Sequence, residues 1–165
     1  MMGKAVLISI RPKWCALISK GEKTVEVRTT APQLKTPFKS YIYCTKERGK
    51  FEEVRLQPGN RVLVAQGKVI GEFICDAVEK HWLNSAGCRN LSEQSCVPTS
   101  ELHIYAQPKE WLCGWHISGL VIYDRPKELG EFRSWNTGIV FKDGYPMPTH
   151  EIKRPPQSFM YVEEL

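Results

Sequence analysis

Gly21-Glu22-Lys23-Thr24-Val25-Glu26-Val27-Arg28 is the stretch whose reading decides the fold. Val25 and Val27 alternate with Thr24, Glu26 and Arg28. In an extended strand the valines therefore face one side and the polar trio the other. Upstream, residues 14–20 can form roughly two helical turns ending at Gly21, and Pro12 suits the first turn, where its missing N–H has no partner to lose. Before that, Ala5-Val6-Leu7-Ile8-Ser9-Ile10 is a short apolar strand. The unit reads as strand, short helix, glycine stop and charged strand. It can set Arg11 and Lys23 at opposite ends of one helix, a junction suited to the wall of an anion or nucleotide site. A solvated strand face with an ordinary ion pair is the plainer reading of the same residues.

Working outward, residues 38–45 form a strand rich in aromatic and β-branched side chains. Pro58-Gly59-Asn60 is a turn signal. Residues 61–66 and 69–78 read as two strands joined at Gly67-Lys68, a hairpin. The stretch 79–110 is the least regular and reads as an insertion or lid, with short helices starting near Leu91 and near Thr99. Strand character resumes over 114–123. A short helix is expected over 125–132 with Asp124 as its cap, then a polar loop over 136–150 and a last strand over 157–162. Many short strands and few long helical patterns predict an α+β, mainly β fold. The expectation is one domain over 1–165, a compact β-barrel with short peripheral helices.

A chain of 165 residues, 42% hydrophobic and 25% charged, has the composition of a globular domain able to bury a core. No apolar run is long enough to span a bilayer, and Met1 to Lys4 leads into a strand pattern, so the expected compartment is the cytoplasm. A net charge of +5 favours an anionic partner such as RNA, DNA or a nucleotide. Without an arginine-rich tail, sequence-independent clamping of long duplex is not indicated. The 6 cysteines include no C-x-x-C pair and read as reduced thiols. Cys88, Cys96, Cys113 and His116 have only loose zinc spacing, and incidental thiols are the preferred reading. No P-loop or dinucleotide glycine fingerprint is present, and the histidines form no visible triad with a serine or cysteine.

Glu72 is the second residue singled out. In a regular strand Ile70, Glu72 and Ile74 share one largely apolar face, which makes Glu72 a partly buried carboxylate in need of a cation. Lys23 and Arg28 are the natural partners. A carboxylate beside a lysine in a cleft can transfer protons; a structural ion pair is the alternative. Trp14, Tyr41, Tyr43, Trp111 and Trp115 are candidate stacking surfaces for a base, Trp14 foremost because it sits beside Arg11.

The motif G-x-K-x-x-E-x-R, following an apolar strand and a Pro-Trp helix start, resembles the ASCH superfamily of small β-barrels related to PUA domains. The resemblance extends to Ile10-Arg11-Pro12-Lys13-Trp14, to Gly67-Lys68-Val69-Ile70-Gly71-Glu72-Phe73, to Trp115-His116-Ile117 and to Arg154-Pro155-Pro156-Gln157-Ser158-Phe159. Some ASCH-like proteins remove an acyl group from a modified cytidine with a lysine, a threonine and a glutamate. The lysine falls on Lys23 and the glutamate on Glu72, but Glu26 stands where the threonine would be. The chain looks closer to the larger G-x-K-x-x-E-x-R branch, for which nucleic-acid binding or RNA processing is suggested. The resemblance thus implies a PUA-like barrel that recognises RNA or a nucleotide-like ligand through Arg11, Trp14, Thr24, Glu26 and Arg28, with Lys23 in the same cleft. The alternatives are a hydrolase, amidohydrolase or ribonuclease-like, with Lys23 and Glu72 as its catalytic pair, and a protein-interaction adaptor using 79–110. No cofactor is required, although Glu26 and Glu72 can bind a divalent metal.

Overall fold

Strand β1 (Lys4–Ile10) runs into helix α1 (Pro12–Ser19), which has proline at its first position and stops where Gly21 takes φ +76°. A Cβ at Gly21 would meet no atom within 4 Å, so the left-handed backbone itself is what calls for glycine. That turn brings the amides of Glu22 and Lys23 back onto the Leu17 carbonyl, at 3.0 and 3.2 Å, before β2 (Val25–Arg28) begins. The computed structural model describes residues 3–48, 66–135, 140–145 and 148–165, with the backbone of 54–55 and 62–63. The turn expected at Pro58-Gly59-Asn60 lies outside the described residues.

The remaining strands are β3 (Phe38–Cys44), β4 (Val54–Arg55), β5 (Val62–Leu63), β6 (Lys68–Cys75), β7 (Val78–Trp82), β8 (Trp111–His116), β9 (Ser118–Lys127) and β10 (Phe159–Glu163), with helices α2 (Ser85–Ser95) and α3 (Thr99–Ala106) between β7 and β8. They build a five-stranded sheet in the order β10-β1-β3-β6-β9, a three-stranded sheet in the order β2-β8-β7, and the short pair β4-β5. Among the described residues β1 and β3 pair in parallel and the other ladders are antiparallel. The α+β, mainly β class read from the sequence is the class observed.

Burial on both faces of both sheets explains why the strands carry so many apolar residues. One face of the large sheet, with Val6, Ile8, Ile42, Ile70 and Phe73, packs on Ile18 of α1 and on Cys113 and Trp115 of β8. The other, with Leu7, Tyr41, Tyr43 and Val69, is covered by Phe132 and Ile152. The outer face of the small sheet, Val25, Val27 and Leu112, packs on Cys88, Leu91, Leu102 and Ala106 of α2 and α3.

Three expectations need correction. Both edges of β6 are taken, by β3 and β9, so 61–66 and 69–78 do not form a hairpin; β5 pairs with β4 instead. The 125–132 segment is not a helix. Strand β9 runs through Lys127, which its place at the sheet edge permits because Pro126 has no ladder partner to deprive there, and only a 3₁₀ turn, Leu129–Glu131, follows. The stretch 79–110 is regular: it holds most of β7 and both α2 and α3, the former capped by the Asn84 side chain accepting from the Gly87 amide at 2.9 Å.

Candidate ligand-binding cleft

The ladder between β2 and β8 decides where the charges of the opening motif go. Glu26 pairs with Trp115 and Arg28 with Cys113, and paired residues share a face, so both charged side chains enter the space between the sheets while Val25 and Val27 face α2 and α3. The Gly21 turn aims Lys23 at the same place. Lys23, Glu26 and Arg28 are only 2%, 5% and 8% exposed, so each charge depends on the others for compensation.

Arg28 is fully committed. Its Nε donates to Glu26 Oε1 at 3.1 Å, one Nη donates to the Ser9 carbonyl at 2.6 Å, and the other to Ser158 Oγ at 3.2 Å. Ser9 in turn donates through its amide to the Ser158 carbonyl and through Oγ to the Pro156 carbonyl. The guanidinium therefore fastens β1 and the 156–158 segment to β2. Lys23 Nζ donates to the Ser95 carbonyl at 2.8 Å, lies 3.3 Å from Glu26 Oε2, and sits 5.0 Å from the Trp14 ring centre. Glu26 Oε2 is buried and accepts no hydrogen bond, the Lys23 contact being an ion pair by distance only.

These groups form one wall of a cleft of about 960 Å³ whose lining includes Arg11, Trp14, Tyr43, Lys46, Tyr105, Lys153 and Gln157. Among the described residues its charged lining is five basic side chains, Arg11, Lys23, Arg28, Lys46 and Lys153, against two acidic ones, Glu26 and Glu101. Arg11 stands at the rim, 75% exposed and 3.6 Å from Glu47. The sequence thus located Arg11, Trp14, Lys23, Glu26 and Arg28 in one cavity. Tyr43, a candidate stacking surface, also lines the cleft, whereas Tyr105, Lys46 and Lys153 carry no sequence signal of their own; the one available signal is the Arg154-Pro155-Pro156-Gln157 ending, whose Pro155, Pro156 and Gln157 line the cleft.

Two expected members lie elsewhere. Thr24 does not line the cleft; its amide and hydroxyl both bond the Gln94 carbonyl on the exposed side. Glu72 and Lys23 are not brought together. Glu72 pairs with Lys39 at 3.4 Å and accepts from the Tyr123 hydroxyl at 2.5 Å, on the Tyr41 face of the large sheet, whereas Lys23 belongs to the cleft. The cause is a bulge. Ile42 pairs with Gly71 and Tyr43 with Val69, so Ile70 is an extra residue, and it faces the main core while Glu72 faces the other way. Burial raises the Tyr123 pKa, and the Glu72 carboxylate raises it further, so the hydroxyl keeps its proton and donates.

Two of the buried thiols are held protonated. Burial, reinforced by the Cys44 thiol, holds Cys15 well above the usual thiol range, and burial pushes Cys75 up to about 12. Cys88 and Cys113 belong to different cores, so the loose zinc spacing does not assemble. Among the described residues no group of three or more His, Cys, Asp or Glu is placed to hold a metal ion, and no helix is long and apolar enough to cross a membrane.

With this geometry in hand, comparison with known proteins is informative on fold. No family model and no curated protein matches the sequence. Among solved structures, ASCH from Zymomonas mobilis is 19% identical, with a TM-score of 0.62 over 95% of this chain and 86% of that one. A serine-to-alanine and a tyrosine-to-phenylalanine variant of the Zymomonas protein are each 18% identical at a TM-score of 0.62, covering 95% of this chain and 87% and 88% of theirs. The chain has the fold of an ASCH domain.

Proposed function

We propose that this chain recognises RNA or a nucleotide-like ligand in the cleft between α1, β2 and the 153–157 segment. The observation that carries the reading is the lining itself: among the described residues, five basic against two acidic side chains, with Trp14, Tyr43 and Tyr105 among them. An anionic ligand with an aromatic ring suits that combination, and the cleft is of a size that takes a small molecule. Arg11 at the rim contacts phosphate. Lys23 contacts an anionic or carbonyl oxygen, and Trp14, 5.0 Å from the Lys23 ammonium, stacks on the base. Glu26 Oε2, buried without a donor, accepts from a base N–H. Arg28, with its hydrogen bonds already made, holds the wall in shape. The hydrolase reading requires Lys23 and Glu72 to act on one substrate, and Glu72 is held by Lys39 and Tyr123 instead.

The test is a fluorescence-anisotropy titration of labelled short RNAs, with unlabelled nucleotides and nucleosides as competitors, over a salt series. Wild-type protein is expected to bind with affinity that falls as salt rises. Each phosphate contact adds about 0.7 to the log–log slope for a single strand, so Arg11→Ala is expected to lower the slope by about that amount. Lys23→Met, checked for folding, is expected to weaken RNA and nucleotide alike. Absence of binding to every RNA, nucleotide and nucleoside at any salt refutes the proposal.

A further inference from the structure

Beside the cleft, the small sheet carries a second cluster that the cleft does not use. Strand β7 ends the sheet, and its Trp82 pairs directly with Trp111 of β8. Lys80 Nζ lies 4.4 Å from the Trp82 ring centre and 4.3 Å from that of Trp111; Lys109 Nζ lies 4.3 Å from the Trp111 ring as well. Trp111 is partly buried against the main core, but Trp82 is 52% exposed, an unusual cost for a large aromatic at a sheet edge. Neither lysine has a carboxylate within ion-pair distance among the described residues, and the neighbouring Glu79 carboxylate is turned to His116 at 3.2 Å. Two indoles and two ammonium groups thus share one open surface, with the Glu110 carboxylate lining the cavity beside Trp82 and Lys109 beyond ion-pair distance.

The cluster adjoins the cleft. Lys109 donates to the carbonyl of Thr29 at 2.9 Å, and Thr29 directly follows Arg28 of the cleft wall. A chain leaving the cleft beside Thr29 meets Lys109, then Lys80 and Trp82. Cation–π contact holds each ammonium over an indole before any ligand arrives, which limits the side-chain freedom lost on binding.

We propose that this surface is a platform for single-stranded RNA: nucleotides outside the cleft place phosphates on Lys80 and Lys109 and stack a base on the open face of Trp82. The proposal rests on the cleft holding part of the same RNA. Its occupant follows from the surface chemistry, because aromatic faces interleaved with unpaired cations match a strand of alternating bases and phosphates. A strand longer than one nucleotide engages both surfaces at once, so the platform favours length.

The test compares a mononucleotide with an eight-nucleotide single-stranded RNA on wild-type protein, Trp82→Ala, and the Lys80→Gln/Lys109→Gln double variant. Both variants alter exposed side chains, and thermal melting checks the fold. Trp82→Ala is expected to weaken the oligomer about five-fold or more, and the double variant to lower its salt slope by about 1.4. Neither is expected to change mononucleotide affinity, whereas Lys23→Met lowers it. Oligomer binding unchanged in both variants refutes the platform while leaving the cleft reading intact. Oligomer binding that depends on Trp82 but not on Lys23 refutes the cleft and, with it, a strand shared between cleft and platform. Failure of the wild-type protein to bind the oligomer refutes the platform.

Discussion

Replacing Glu26 by glutamine tests whether the buried trio is one electrostatic unit. The carboxylate lies 2.9 Å from Arg28 Nη2 and 3.3 Å from Lys23 Nζ, with side-chain exposure of 7% against 10% and 1% for its partners. Removing its charge leaves two cations facing each other in a site that water scarcely reaches. Breaking a buried pair this way costs about 3–5 kcal/mol. For a chain of this size each kcal/mol moves the melting temperature by about 2–4 °C, so Glu26→Gln is expected to lower Tm by about 6–20 °C. Lys23→Met is the internal control: Arg28 still holds Glu26 at two points, and the chief loss is the bond to the Ser95 carbonyl, worth about 1–3 kcal/mol. The assay is paired urea and thermal denaturation by circular dichroism, at low and high salt. A Glu26→Gln protein within about 1 kcal/mol of wild type, or one less perturbed than Lys23→Met, would show that the trio behaves like a surface ion pair. That result refutes the reasoning.

Glu72→Gln is expected to fold, to lose about 0.5–1.5 kcal/mol through weakened contacts to Lys39 and Tyr123, and to bind cleft ligands as tightly as wild type; loss of ligand affinity in the folded variant contradicts the placement of Glu72 outside the cleft lining. Burial depresses the His81 pKa below 6.5, with Glu79 opposing and His116 adding to the shift. The unfolded chain therefore takes up this proton first, and the contribution to stability, complete above 6.5, declines as pH falls through that value until the folded histidine also titrates. The difference in urea midpoint between wild type and His81→Gln, which cancels the other histidines, is expected to shrink as pH drops from 7.5 to about 5; a constant difference rules the effect out.

How much of this was legible in the sequence depended on whether a signal was local. The β1-α1-β2 unit was readable because Pro12, Gly21 and the alternation of Val25 and Val27 each act within a few residues. The Gly67 turn was also real, with φ +77°, but its amide bonds the Cys44 carbonyl at 2.7 Å. It returns the chain to the side of β3, a choice made by a partner more than twenty positions away that no two-strand pattern around Gly67 displays. Helices α2 and α3 were half seen for a related reason. Their buried side chains are few, Cys88, Leu91 and Ser95 in one and Leu102 and Ala106 in the other, and the surface they cover is supplied largely by Val25 and Val27 far upstream.

The candidate site shows the same division in one pair of residues. Glu26 and Glu72 were read by one rule, alternation along a strand, and the rule placed the first correctly and the second not. Strand β2 pairs with β8 without a break over Val25 to Arg28, so period two carries Glu26 to the face of Trp115. Strand β6 meets a bulge at Ile70, where the backbone crowds: a Cβ on Gly71 would lie 2.3 Å from the Val121 carbonyl oxygen. Glycine inside a strand often marks such close approach, so a trace of the bulge was present in the sequence, but not its register. One extra residue turns every later side chain to the opposite face. Glu72 therefore meets Lys39 and Tyr123 instead of Lys23, and Glu26 is left as the carboxylate beside the cleft lysine. Among the described residues, the carboxylate within ion-pair distance of Lys23 comes from within the motif itself.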